Sequence, residues 1–147
     1  MVTRKLFAHL GMDCLSAGIF QRGALTQMQD YAADEEGARR FAEFAAAQRA
    51  TVYLVADLPE EDFRAESIPL LRRGERKALA QRKLEQLYPD TPFRYAARLP
   101  RASASERRET LLLCALSNPQ PLTRWLDALA ARHTPLVAIY SAAAVCA

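Results

Sequence analysis

The sequence predicts an α/β domain, and three observations carry that prediction. Short apolar runs split by turn-forming residues open the chain. A stretch with helical period follows an aspartate cap, and two continuous apolar runs, residues 51–56 (TVYLVA) and 110–116 (TLLLCAL), read as buried strands. At 147 residues, with 50% apolar and 25% charged positions, the chain is long enough to bury a core and excludes a disordered tail or a coiled coil.

Taken in order, residues 5–10, 14–21 and 24–31 are separated by Gly11-Met12-Asp13 and Arg22-Gly23, so they are expected to form an antiparallel meander. Asp34 offers an N-cap, Glu35 and Glu36 suit the positive start of a helix, and Phe41, Phe44, Ala45 and Gln48 follow at helical spacing. Residues 51–56 lack alternation, as a strand covered on both faces would. Residues 60–71 place Phe63, Ile68, Leu70 and Leu71 among charges, which suits an extended segment, with Pro69 marking an edge or an end. Residues 74–88 have helical period: Ala80, Leu84, Leu87 and Tyr88 form one stripe, Arg82 and Glu85 lie opposite as an i, i+3 pair, and Pro89 stops the helix. Residues 93–99 read as a return strand, and 101–109 (RASASERRE) as a polar, flexible hairpin loop before the strand at 110–116. Asn118 then caps a helix with Pro119 and Pro121 in its first turn and Leu122, Trp125, Leu126 and Leu129 on its apolar stripe. Trp125 is the expected anchor of that helix. Residues 136–140 supply a last strand, after which SAAAVCA looks like the start of a helix, as in a fragment of a longer protein.

A net charge of +3 is compatible with an anionic partner without requiring one. Cys14, Cys114 and Cys146 show no CxxC pairing and suit reduced thiols in a cytoplasmic setting. The first residues lack the apolar run of a signal peptide, and no window approaches the ~20 apolar residues of a membrane span.

Few residues suggest chemistry. Asp57, Glu60, Glu61 and Asp62 follow a buried strand, where a Mg²⁺ could be held, but with no partner motif they suit a solvated loop better. His9 and His133 are too isolated for zinc, Cys114 reads as a core residue, and Ser16 and Ser141 lack a nucleophile's surroundings. Arg72, Arg73, Arg76, Lys77, Arg82 and Lys83 could attract phosphate, yet carboxylates lie near in sequence and no aromatic residue interleaves to stack bases. Leu10-Gly11-Met12-Asp13 stands between the first two strands, where a phosphate loop could lie, with a single glycine followed by Cys14 and Leu15.

A set of spaced residues does suggest relatives. Asp57, Glu60, Glu61 and Phe63, then Glu66-x-Ile68-Pro69, Arg76-x-Ala78-Leu79-x-x-Arg82-Lys83-Leu84-x-Gln86 and Thr91-Pro92-Phe93-Arg94 resemble an uncharacterised group of proteobacterial membrane-associated proteins. Arg108-Glu109, residues 115–119 (ALSNP), residues 125–129 (WLDAL) and Ile139-Tyr140-Ser141 extend the likeness over most of the chain. The element order resembles the first lobe of an actin-like fold, as in the actin-like assembly protein of type IV pili and the cytoplasmic region of the inner-membrane L component of type II secretion.

The resemblance implies an RNase H-like core with sheet order 3-2-1-4-5, formed by residues 1–59 and 118–147, and a small inserted αβ subdomain at 60–117. It further implies a second lobe and a membrane anchor beyond residue 147. The function it implies is that of a non-catalytic scaffold lobe on the cytoplasmic face of the inner membrane, binding protein partners of a pilus- or secretion-like machine. No cofactor, metal or nucleic acid is expected, and the membrane is reached only through a segment beyond this chain. Arg76, Arg82, Lys83, Glu61 and Glu66 are the candidate partner-binding residues. Two alternatives stay open: a degenerate nucleotide-binding actin-like module, and a basic nucleic-acid-binding domain. The chain departs from nucleotide-binding relatives at Gly11-Met12-Asp13-Cys14, where a glycine-rich loop would stand.

Overall fold

The computed structural model of the protein describes residues 4–146. In chain order its elements are β1 (Arg4–Leu10), β2 (Cys14–Gln21), β3 (Ala24–Ala32), α1 (Glu35–Ala47), β4 (Ala50–Ala56), β5 (Glu61–Pro69), α2 (Arg73–Leu87), β6 (Arg94–Leu99), β7 (Arg108–Leu116), α3 (Gln120–Ala131), β8 (Leu136–Ser141) and α4 (Ala142–Cys146). They divide into two compact units, one built from the chain up to Pro59 and from Gln120 onward, the other from Glu60–Pro119.

The first unit holds a five-stranded mixed sheet in the order β3-β2-β1-β4-β8. The β1–β2 and β2–β3 pairs are antiparallel, while β4 runs parallel to both β1 and β8. Counting β8 as the fifth strand of this sheet, the order is the 3-2-1-4-5 of an RNase H-like core. Arg22 and Gly23 both have positive φ, 51° and 81°, the backbone of a type I′ hairpin turn, and so place β3 beside β2. Asp34 caps α1, its Oδ1 accepting from the Gly37 N–H at 2.7 Å. Gly37 is required at this point, because a Cβ there would lie 1.8 Å from the Ala32 carbonyl oxygen.

Alternate residues of β1, β2 and β4 build the core: Leu6, Ala8 and Leu10, Leu15, Ala17 and Ile19, Val52 and Leu54 are buried on one face. Phe41 of α1 and Trp125 of α3 are likewise buried and meet edge-on at 5.8 Å. The opposite face corrects the expectation that 51–56 is covered on both sides. Tyr53 stacks on Phe7 with ring centroids 5.0 Å apart, Phe7 meets Phe20 edge-on, and Phe7 remains 40% exposed. The alternation of β4 is real but hidden from the sequence, since its outward residues Tyr53 and Val55 are apolar too. Gln120 is the first helical residue of α3, so Pro121 lies in the first turn and Pro119 just before it.

The second unit is a separate three-stranded antiparallel sheet, β5-β7-β6, with α2 on one face. Ile68, Leu111 and Leu113 from the sheet pack with Ala80 and Leu84 from α2, and Leu79, Leu87 and Tyr88 close the edges of this core. Two residues thought to lie in the loop before the third strand belong to it, for β7 begins at Arg108. The unit's two ends lie side by side: the Glu60 carbonyl accepts from the Ser117 N–H at 3.0 Å and from its hydroxyl at 2.7 Å. The expected pairing of Arg82 with Glu85 is absent. Glu85 accepts instead from Gln81 Nε2 at 3.2 Å, and Arg82 is exposed.

Candidate functional site

Two places bear on function, one in each unit. In the first unit, the connection between β1 and β2 is a two-residue hairpin turn, Met12-Asp13, closed by the Gly11 N–H donating to the Cys14 carbonyl at 3.0 Å. Beside it in the same sheet, the Asp57 N–H donates to the Leu10 carbonyl at 2.8 Å, and His9 Nε2 stands 3.2 Å from Asp57 Oδ2. Both side chains of that pair are more than half exposed. A phosphate cradle needs several free backbone N–H groups converging on one point. Here the turn commits Gly11, its only glycine, to its own closure, and Met12 and Cys14 are exposed at its tip.

The second place is built on α2. Ala80, Leu84 and Leu87 put its apolar stripe on the sheet, and one turn earlier on that stripe stands Arg76. What it meets explains a charge at a packing position. Glu109 of β7 shares its face with Leu111 and Leu113, and its side chain is 0% exposed. Arg76 Nε donates to Glu109 Oε1 at 2.7 Å, and an Arg76 amino group also reaches the Leu71 carbonyl. Arg98 Nε lies 2.8 Å from the other carboxylate oxygen, close enough for charge but without hydrogen-bond alignment. Arg94 donates from Nη1 to the Tyr88 carbonyl at 2.6 Å. At the far side of the same face, Lys83 pairs with Glu66, and the Tyr88 hydroxyl donates to Asp62 at 2.7 Å. Burial, with the Asp62 bond adding to it, pushes the Tyr88 phenol up to about 12.

Between α2 and β6 lies a cleft of about 500 Å³. Five cations surround it, Arg73, Arg76, Lys77, Arg94 and Arg98, while Ala80, Leu84, Ala96 and Leu111 supply an aliphatic floor. No carboxylate lines it. Among the described residues, Glu109 beneath the floor is the one acid paired with any of the five, and Arg73 and Lys77 have no ion-pair partner. Residues 60–119 hold twelve of the chain's twenty Lys and Arg but nine of its seventeen Asp and Glu, so the +3 balance resides in this unit.

The five candidate residues therefore divide. Arg76 lines the cleft and carries a buried ion pair, Lys83 and Glu66 are spent on each other, Glu61 is half-buried on β5, and Arg82 is exposed outside the cleft. Arg94, Arg98 and Glu109 were missed as site residues. The signal was parity: Glu109 is two residues before Leu111 and four before Leu113, and Arg94, Ala96 and Arg98 alternate on β6. Of the acidic group, Asp57 pairs with His9, and Asp62 accepts from Tyr88. Among the described residues no three His, Cys, Asp or Glu side chains are grouped as a metal would require.

The core sheet and its separate three-stranded partner sheet define an actin-like fold, and solved structures of that fold match nearly the whole chain. It is similar to the cytoplasmic domain of EpsL, an inner membrane component of the type II secretion system of Vibrio cholerae, at TM-score 0.58 and 12% identity over 94% of this chain and 57% of that one. It is similar also to a chain of the PilM–PilN type IV pilus biogenesis complex, at TM-score 0.66 and 15% identity over 96% of this chain and 48% of that one. A Bacteroides thetaiotaomicron protein of actin-like ATPase fold and unknown function aligns at TM-score 0.49 and 10% identity, over 95% of this chain and 52% of that one. The chain thus spans about half the length of the structures it matches. No protein-family model and no curated protein sequence matches it.

Proposed function

We propose that this chain is a non-catalytic lobe that docks protein partners of a pilus- or secretion-like assembly on the cytoplasmic face of an inner membrane. The observation that carries the reading is an actin-like core whose phosphate-loop position holds a closed two-residue turn. Met12 and Asp13 leave too few N–H groups to cradle a triphosphate, and the neighbouring carboxylate of Asp57 faces His9. Likeness in fold to the EpsL domain and to the PilM–PilN chain supports a place in such a machine. Among the described residues no helix is long and apolar enough to cross a membrane.

Two measurements test this. Calorimetric titration with Mg-ATP is expected to give no saturable heat; a dissociation constant at or below ~100 µM, about 5–6 kcal/mol of binding free energy, would replace the scaffold reading with a nucleotide-binding one. Crosslinking in cells followed by mass spectrometry is expected to join the chain to integral inner-membrane proteins of an envelope assembly. Crosslinks confined to soluble proteins would remove it from such a machine.

A further inference from the structure

We propose that the cleft between α2 and β6 receives an extended acidic segment of a protein partner, which adds as a fourth strand to the open edge of β6. The proposal deepens the docking reading by giving the partner a chemistry.

Three features of the 60–119 unit point to it. First, β6 is an edge strand: its ladder runs to β7 alone, from Arg94 opposite Ala115 to Leu99 opposite Thr110. An edge of this kind offers its outward N–H and C=O groups to an incoming strand. Second, Arg94, Ala96 and Arg98 alternate along β6 and all face the cleft. A strand added beside them turns every second side chain into the same space. The order cation, small residue, cation then selects acid, aliphatic, acid on the incoming strand, with the aliphatic side chain over Ala96 and the floor of Ala80, Leu84 and Leu111. Third, Arg73 and Lys77 of α2 line the same cleft without ion-pair partners among the described residues, so the incoming carboxylates would meet cations from both walls. No aromatic residue lines the cleft, which leaves a nucleobase no stacking platform and favours the peptide over a nucleotide.

The partner segment should therefore read Glu/Asp-x-Val/Ile/Leu-x-Glu/Asp. The test is fluorescence polarisation of the purified chain with a labelled peptide Ser-Glu-Thr-Val-Thr-Glu-Ser at low salt, together with amide exchange along β6. Saturable binding that slows exchange of β6 amides is expected, weakened about tenfold or more by Arg73→Glu with Lys77→Glu and little changed by Arg82→Glu. Because Arg73 and Lys77 are exposed and unpaired, the double variant should fold. A Lys-for-Glu peptide should then bind the double variant better than it binds the wild type, which separates lost charge from lost fold. Absence of binding, equal binding by the double variant, or equal binding by a peptide with its acids placed adjacent would overturn the proposal. Full competition by inorganic pyrophosphate with no protection of β6 would also overturn it, in favour of a phosphate site. None of these readouts involves ATP or crosslinks in cells, so their failure withdraws the strand site and leaves the docking reading to its own tests.

Discussion

Glu109 shows how much one side chain decides in the 60–119 unit. A fully buried carboxylate is tolerable only where charge and hydrogen bonds meet it. Arg76 provides both, through an aligned 2.7 Å bond, whereas Arg98 provides proximity from a side chain that is 45% exposed. The two arginines should therefore not be equivalent. Arg76→Ala is expected to cost about 3–5 kcal/mol in denaturant unfolding, as breaking a buried pair does. Arg98→Ala should cost within about 1 kcal/mol, as exposed pairs do. Equal losses would show that the carboxylate is held by charge alone. Tyr88 makes a second residue-scale prediction. Its phenol is held up at about 12, against about 10 in an unfolded chain, so the folded state keeps the proton longer. The stability this supplies is complete below pH about 10 and is lost as pH rises through about 12. Subtracting the pH–stability curve of Tyr88→Phe from that of the wild type should leave a difference that declines between those values. Parallel curves across that window would mean that folding leaves the Tyr88 phenol at its ordinary value.

At the scale of elements, the sequence was legible where local chemistry and tertiary packing agree. Asp34 with Glu35 and Glu36 marks the start of α1 because a side-chain cap and acidic first turn belong to helix starts anywhere. The Arg22-Gly23 turn and the stripe of Ala80, Leu84 and Leu87 are of the same kind. Legibility failed where the outcome depends on a distant partner. A continuous apolar run such as 51–56 does not reveal which of its faces helices will cover, and Tyr53 and Val55 concealed the alternation. The start of β7 was placed two residues late because Arg108 and Glu109 look like loop residues until β5 pairs with them, Pro69 opposite Arg108 and Ile68 opposite Glu109. That slip hid the candidate site. With Glu109 taken as solvated, Arg76 had no reason to point inward, and Arg94 and Arg98 belonged to an ordinary amphipathic strand. Periodicity could find the cations one by one, but only the register of β5, β7 and β6 brings them around one cleft.

At the scale of the whole molecule, the chain assigns its charge and its architecture to different segments. The segments outside 60–119 carry equal numbers of acids and bases, eight each, and the entire +3 falls in the segment between them. That segment leaves and rejoins its surroundings at adjacent points, since Glu60 and Ser117 are hydrogen-bonded and Glu61 lies opposite Leu116. Among the described residues its sheet shares no ladder with the five-stranded one. A piece with its own sheet and core and neighbouring ends is one whose removal costs the remainder little loop-closure entropy. Deleting residues 60–119 and joining Pro59 to Gln120 through a short Gly-Ser linker is therefore expected to leave a folded five-stranded core. The chain's single tryptophan reports on it, because Trp125 lies in that core against Phe41. The deletion protein should keep blue-shifted tryptophan emission and a cooperative thermal transition. The acidic peptide should no longer bind it, since every residue of the cleft has gone. Red-shifted emission without a cooperative transition would show that the core cannot fold without the inserted unit, and the division of the chain into a self-sufficient core and a docking insert would fall.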